Sequence, residues 1–306
     1  MCPFIFTISL QKSTNPYQFQ IQKMNGLTLR LVEFIRLMKP KIIVLLATTG
    51  VVPYILAGAR DPLLIAFFLL VGFLSAGGAM ALNSVIDKDI DRLMDRTKTR
   101  ASVTNLFSSN QILVTAIASM ALATIAAFFV FNPLAAFWVA FGELFYIFGY
   151  SLYLKRKNVW NTIIGGLASP APVLVGFSAA LGEVPLFGWI VAGLVFIWTP
   201  SHTWALSTYY MDDYARAGVP MLPVVYGIDF TSRATFAFML LTSAYSAWPI
   251  FFNGVSTLRL ILWVITNLVF LYKGWQFLRS KDRKIAYRLF KFHNYWLASQ
   301  FLLLFL

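Results

Sequence analysis

Apolar stretches long enough to cross a bilayer alternate along this chain with short polar segments, which predicts a series of membrane-spanning helices. Residues 31–38 with Lys39-Pro40-Lys41 read as a basic interfacial helix that feeds a first span over about 42–59. Arg60-Asp61-Pro62 turns the chain into a second span, about 63–85, where Ala76-Gly77-Gly78-Ala79 permits close helix contact. The third and fourth spans cover about 112–131 and 134–154, with Asn132-Pro133 between them and Lys155-Arg156-Lys157 as the stop. The fifth, about 159–181, contains Gly165-Gly166, Pro170 and Pro172, so a kink is expected there. Further spans follow at about 186–206, 234–252, 260–277 and from 286 to the end, nine in all. The expected fold is an all-α, polytopic bundle of nine transmembrane helices. It consists of a loosely ordered tail over 1–30 and a single transmembrane domain over 31–306. Met24 is an alternative start, which would make residues 1–23 an upstream extension.

Composition agrees with that pattern. Of 306 residues, 59% are hydrophobic and 12% charged, against roughly 45–50% apolar residues in soluble domains. The net charge of +13 would suggest nucleic acid in a soluble chain. Here 23 of the 25 Lys and Arg fall in alternate loops, those on the side of the N-terminus, and only Arg60 and Arg259 fall on the other. The asymmetry puts the N-terminus and the acid-bearing loops in the cytoplasm of a cell (plasma) membrane, and it assigns the charge to insertion and anionic lipid, with no nucleic acid as partner. Cys2 is the only cysteine, which excludes an intrachain disulfide and a thiolate metal site, and His202 and His293 are too few for a histidine-rich centre.

Against this apolar background, residues 83–100 are dense in charge. They carry Asp87, Asp89, Asp91 and Asp95, four of the chain's twelve acids, and five of its bases. If the second span continues as a helix, Asn83, Asp87 and Asp91 repeat at i, i+4, i+8 and share a face about 80° wide, with Asp89 pointing away. Two carboxylates one turn apart, backed by an amide, suit Mg²⁺, which typically takes one or two protein carboxylates and completes its shell with water and phosphates. Arg92, Arg96, Lys98 and Arg100 would supply charge to such phosphates. The alternative is a solvated loop held by local ion pairs such as Asp91 with Arg96. A second constellation ends the sixth span, where Tyr209 and Asp213 stand i, i+4 with Asp212 beside them. Two such motifs facing each other across a cavity can hold a Mg²⁺–diphosphate; taken alone, the acids there are satisfied by Arg216. Glu143 lies within the fourth span, where an acid is a functional candidate by default or is paired with a hydroxyl such as that of Tyr146. His202, near the cytoplasmic end of the sixth span, reads as a packing residue or a ligand, and His293 as interfacial.

The wording resembles the UbiA-type family of intramembrane prenyltransferases, whose signature is two Asp-rich motifs on helices two and six of a nine-helix bundle. Within that family the chain is similar to the branch that modifies haem. The likeness rests on Asn83, Asp87-Lys88-Asp89-Ile90-Asp91, Met94, Arg96-Thr97 and Arg100, then Lys155-Arg156, Asn161, Gly165-Gly166, Trp198-Thr199-Pro200 and His202. Its most specific part runs from Asp212-Asp213-Tyr214 through Ala217-Gly218-Val219-Pro220 to Val225, and the whole covers about residues 34–300. Ala101 stands where the pattern usually has Pro, Ser84 where many family members have Asp, and Met211 where the haem branch often has Lys.

The resemblance implies transfer of a farnesyl group from farnesyl diphosphate to a vinyl group of protohaem IX, with water added. Mg²⁺ is the implied cofactor, with haem as substrate. Asp87, Asp91 and Asp213 would hold the metal with Asn83 in support. Arg96, Arg100, Lys155 and Tyr209 would contact the diphosphate, and His202 is a candidate contact for the acceptor. The bilayer would supply the prenyl tail, and the chain's aromatic residues would wall in an allylic cation. Competing expectations are an aromatic or glycerol-lipid acceptor, a cation or phosphate transporter, and a non-catalytic assembly protein. A transporter would place its coupling charges near the midplane on broken helices, whereas here only Glu143 is clearly mid-span.

Overall fold

A computed structural model describes residues 26–252, 254 and 256–306, and every regular element in it is helical. The tail expected over 1–30 lies outside these residues except for its last five, which already belong to α1 (Gly26–Leu37). Lys39 then takes a left-handed conformation (φ 55°, ψ 59°) and α2 (Pro40–Leu56) starts with proline at its first position, where no amide hydrogen is needed. The following turns are set by side-chain caps. Asp61 accepts from the Leu63 and Leu64 amides to start α3 (Pro62–Ile86), and Ser108 with Gln111 forms a capping box on α5 (Ser109–Val130), beyond the short α4 (Lys88–Leu93). Asn132 caps α6 (Pro133–Leu144) through the Ala135 amide and also donates to the Ser178 carbonyl at 2.7 Å, tying this turn to a neighbouring helix.

The fourth span does not stay α-helical. From Phe145 to Leu154 it is wound as a π-helix, and it regains α geometry only at Lys155–Lys157. The fifth is broken as its glycines and prolines predict, into α7 (Asn161–Gly165), a 3₁₀ turn (Gly166–Ala168) and α8 (Ala171–Leu181). The remainder comprises α9 (Leu186–Tyr209), α10 (Met211–Arg216), α11 (Leu222–Phe251), α12 (Thr257–Ser280) and α13 (Arg283–Leu303).

These helices form a ring. α3 packs on α5, α9 on α11, and α8 on both α2 and α6, while α13 touches α9 and returns to α2. Glycine allows the closest approach: a Cβ on Gly78 would stand 2.9 Å from the Ala116 carbonyl oxygen on α5. Among the described residues, seven segments are long and apolar enough to cross a membrane. Length and composition thus mark seven of the nine expected spans. The first apolar helix is shorter, and α13 is diluted by Arg283, Lys284, Arg288 and Lys291.

Candidate active site

α3 carries the first acid stretch to the polar end of the bundle and breaks there. Asp87 sits between α3 and α4 with φ −89° and ψ 10°, yet the ladder continues across it. The Asp87 amide donates to the Asn83 carbonyl at 2.9 Å and the Asp91 amide to the Asp87 carbonyl at 2.7 Å. Asn83, Asp87 and Asp91 therefore remain on one side of the chain, and all are buried, with relative exposures of 4%, 1% and 3%. A buried carboxylate needs a partner, and each has one. Asp87 is bonded to the Lys155 ammonium and accepts from Asn83 Nδ2 at 2.8 Å. Asp91 accepts from Arg100 Nη1 at 2.5 Å. Asn83 also donates to Ser151 Oγ at 3.0 Å, a contact that the π-helix supplies. Asp87 Oδ1 is buried with no hydrogen-bond partner.

Asp89 points away as the spacing predicts and is exposed. Arg156 holds it in two bonds of 2.7 and 2.8 Å, while the same guanidinium donates to the Ile86 carbonyl at the end of α3. This pairing lowers the Asp89 pKa below the usual carboxylate value. Local pairing of Asp91 with Arg96 does not occur. Arg96 lies over the Tyr210 ring at 4.8 Å instead.

The second constellation repeats the broken-helix design. α9 ends at Tyr209, Tyr210 takes φ −98° and ψ 26°, and α10 follows with Asp212 and Asp213 in its first turn. Asp213 is buried and bonded to Arg216; Asp212 is exposed and paired with Arg283 at 2.6 Å. The two motifs touch. Asp213 Oδ2 accepts from the Arg96 backbone amide at 3.2 Å, and Arg216 bridges to Asp95 at 2.6 Å. Ile90, Met94, Tyr214, Val219 and Met221 form an apolar cluster that holds the two segments together. Tyr209 stacks on Tyr287 of α13, with centroids 4.5 Å apart, and does not bond Asp213.

Inside the ring is a mostly apolar cavity of about 420 Å³, whose wall includes Ala79 and Met80, one helical turn before Asn83. Phe68, Trp138, Tyr146 and Tyr150 line it, the last two carried by the π-helix and stacked at 6.0 Å. Gly165 makes room for Tyr150, since a Cβ there would fall 2.3 Å from its ring. Glu143 also lines the cavity. It accepts from Thr124 at 3.3 Å rather than from Tyr146, and its other oxygen is buried without a partner. His202 is not among the lining residues; its ring is packed between Trp198 (4.2 Å) and Phe290 (4.5 Å). The interfacial reading of His293 is overturned. It is fully buried, with Nδ1 2.9 Å from the Leu289 carbonyl and Nε2 3.2 Å from Ser201 Oγ, because α13 packs its polar residues inward against α9.

Sequence reasoning missed Lys39, Ser151 and the second role of Arg156. Lys39 is half-buried, and burial together with the nearby Arg100 and Lys155 charges pushes its pKa down to about 7. Its signal in the sequence was the Lys-Pro step that forces an unusual helix start. Ser151, a lone hydroxyl in an apolar run, gave none.

Buried carboxylates and crowded cations thus stand just above an apolar cavity in a membrane bundle, an arrangement whose shape and charge suit an amphiphile with an anionic head. The family description "UbiA prenyltransferase family" matches residues 44–297, and the chain belongs to that family. It is 37% identical over 271 residues to a protoheme IX farnesyltransferase of Thermus thermophilus, a match covering 88% of this chain and 45% of that one, so the chain spans about half the length of that relative. It is 36% identical over 276 residues to protoheme IX farnesyltransferase 2 of Vibrio campbellii, covering 89% and 90%. Among solved structures, a digeranylgeranylglyceryl phosphate synthase aligns with TM-score 0.72 at 18% identity, covering 90% of this chain and 96% of that one. A UbiA homolog from Archaeoglobus fulgidus bound to GPP and Mg²⁺ aligns with TM-score 0.67 at 18% identity over 90% and 100%. Both structural likenesses concern the fold.

Proposed function

We propose that the protein transfers a farnesyl group from farnesyl diphosphate to a vinyl group of protohaem IX, giving haem O, with the site at the cytoplasmic face of a plasma membrane. The observation that carries this reading is the buried Asp87–Asp91 pair, held by Lys155 and Arg100, directly above an apolar, aromatic cavity. The names of the relatives support the choice of donor and acceptor.

The donor set fits Mg²⁺. Asp87 Oδ1 is buried with no hydrogen bond, with Arg156 at 3.9 Å, and Asp91 lies one turn away. As placed, no three His, Cys, Asp or Glu among the described residues form a group that could hold an ion, so Asp213 would join Asp87 and Asp91 only after its segment shifts, and the metal would take most of its shell from diphosphate and water. Asp87, Asp91 and Asp213 would hold it, with Asn83 orienting Asp87; when bound, it supplies neutralising charge for the departing diphosphate. The chain's own residues do the rest. At rest, each carboxylate neutralises a neighbouring cation. With substrate present, Lys155, Arg100 and Arg96 turn to phosphate oxygens and stabilise the charge that grows on the leaving group. Tyr209 offers its hydroxyl to the same head. As the C–O bond breaks, Phe68, Trp138, Tyr146 and Tyr150 exclude water and present ring faces to the allylic cation. The terminal vinyl carbon bonds to the prenyl C1, water adds to the other vinyl carbon, and one proton leaves.

His202 is two residues from Pro200 and next to Thr203, which lines the cavity, so it would act on the acceptor only after a ring rotation. Asp212 and Glu143 would act at a distance, on charge and cavity polarity.

The test is the pigment profile of membranes from a haem-producing host expressing wild type or Asp87→Ala. A haem carrying the hydroxyethylfarnesyl mass in the wild type alone supports the reading. Unmodified haem in both, with folded protein and farnesyl diphosphate present, removes haem as acceptor and turns the search to aromatic or glycerol-lipid acceptors.

A further inference from the structure

A second cavity, of about 360 Å³, opens beside the carboxylate mouth between α1, the start of α2 and the loop after α4. Its wall contains Glu33, Arg36, Lys39, Ser84, Thr99 and Arg100. Three cations therefore face one acid, and that acid is already bonded to Arg36. Arg100 is shared: one of its nitrogens reaches Asp91, while the side chain also lines this cavity. The Lys39 side chain makes no ion pair or hydrogen bond among the described residues, although its backbone bonds Arg36 and Ile42. Its backbone adopts a left-handed conformation, which costs free energy for a residue with a Cβ and persists where the surroundings demand it. Asp87, Asp91, Asp213 and Lys155 do not line this space, so a metal–diphosphate held by them would meet it only at Arg100 and would leave Arg36 and Lys39 free.

We infer that the Arg36–Lys39–Arg100 cavity is an oxyanion subsite separate from the diphosphate mouth, and that in the reaction it takes a carboxylate of the acceptor. The inference rests on the proposed function, because protohaem is the reactant with both a broad apolar ring and carboxylate arms. A lysine side chain with no paired acid beside a guanidinium that has donors to spare is the chemistry that recognises such a group. The cavity is also large for a single water, whose share of liquid volume is about 30 Å³. Anchoring the carboxylate here, at the polar end of the bundle, would leave the vinyl edge of the ring free to reach the mouth through the shared Arg100 side. The phosphate of an anionic lipid offers the same oxyanion chemistry.

The experiment uses the full chain, purified in neutral detergent, and follows the absorbance of ferric protohaem and of its dimethyl ester on titration. The wild type is expected to bind the diacid about tenfold more tightly than the ester. Lys39→Met should erase that difference by weakening the diacid alone, Lys39→Arg should retain it, and the KM for farnesyl diphosphate should stay within about twofold. A diacid preference that survives in Lys39→Met overturns the inference. So does a rise in the farnesyl diphosphate KM with haem affinity unchanged, which would give the subsite to the diphosphate. Repeating the titration with phosphatidylglycerol or phosphatidylcholine added identifies a lipid source: loss of the preference with the anionic lipid only, in a Lys39-dependent manner, assigns the cavity to lipid and rejects the acceptor. If the wild type forms no farnesylated haem but binds the diacid through Lys39, the reaction assigned above fails while the subsite stands.

Discussion

Asp87 and Asp91 are almost wholly buried and reach cations 68 and nine positions away, whereas Asp213 is held by Arg216 three positions on and Asp212 lies exposed against Arg283. Both segments nonetheless have one backbone design, a long apolar helix, a one-residue break and a six-residue helix with acids in its first turn. The difference lies in what enforces the charge. In the first segment, tertiary structure brings Lys155 and Ser151 from the fourth span to the Asn83–Asp87 pair, so the buried acid finds its partners only when the whole bundle is assembled. The second segment is mostly satisfied by its own helix and contributes a carboxylate that docks on the first through the Arg96 amide. We read the first motif as the centre of the chemistry and the second as its closing wall.

The sharpest way to break this comparison is Asp87→Ala, for which prenyl transfer should fall about a thousandfold. Removing one member of a buried pair also strands Lys155, so the variant should lose about 3 kcal/mol of stability, recovered in part by Lys155→Met in the same chain. Product formation per folded protein and a thermal melt measure the two effects. Asp213→Ala should cost less, about ten- to a hundredfold, with stability little changed because Arg216 keeps Asp95. Equal losses at the two positions would end the distinction between centre and wall.

A pH series sharpens it further. Lys39 binds its proton less tightly in the folded chain, with a pKa of about 7 against an ordinary 10.5, so between those values the folded state holds fewer protons than the unfolded state. Stability should therefore rise with pH across that window, and Lys39→Met should flatten the slope in a melt recorded from pH 7 to 10. The smallest effect belongs to Asp212→Asn. Its carboxylate is exposed and its pairing with Arg283, which lowers the Asp212 pKa, is screened by solvent, so activity should stay within about twofold of wild type.

The spacing of Asn83, Asp87 and Asp91 was legible because four-residue steps on a helix survive a one-residue break when the i to i−4 bonds continue. The kinked fifth span was legible from its glycines and prolines. The partners of the acids were not, because Lys155 and Arg156 are adjacent in sequence yet bond different acids of the first motif, Asp87 and Asp89, which only the winding of the fourth span decides. His293 was misplaced for a related reason. Lys291 and Asn294 flank it, but on a helix neighbours point in different directions, and the face with His293, Trp296 and Gln300 turns into the bundle. The charges on its other faces, Lys284, Arg288 and Lys291, make α13 too hydrophilic to be counted as a span by composition.

The π-helix from Phe145 to Leu154 gives the fourth span a phase shift. With bonding to the fifth residue instead of the fourth, each residue turns through a smaller angle, so the first half bearing Trp138 and Glu143 and the far end bearing Lys155 are set at orientations that one continuous α-helix would not give. Deleting a single residue there would swing one end relative to the other by about 100° and carry Lys155 off Asp87. Phe148, Leu152 and Tyr153 are exposed on this segment, so their identities are free to drift among apolar types. Their number is not, and the segment should tolerate substitution far better than insertion or deletion.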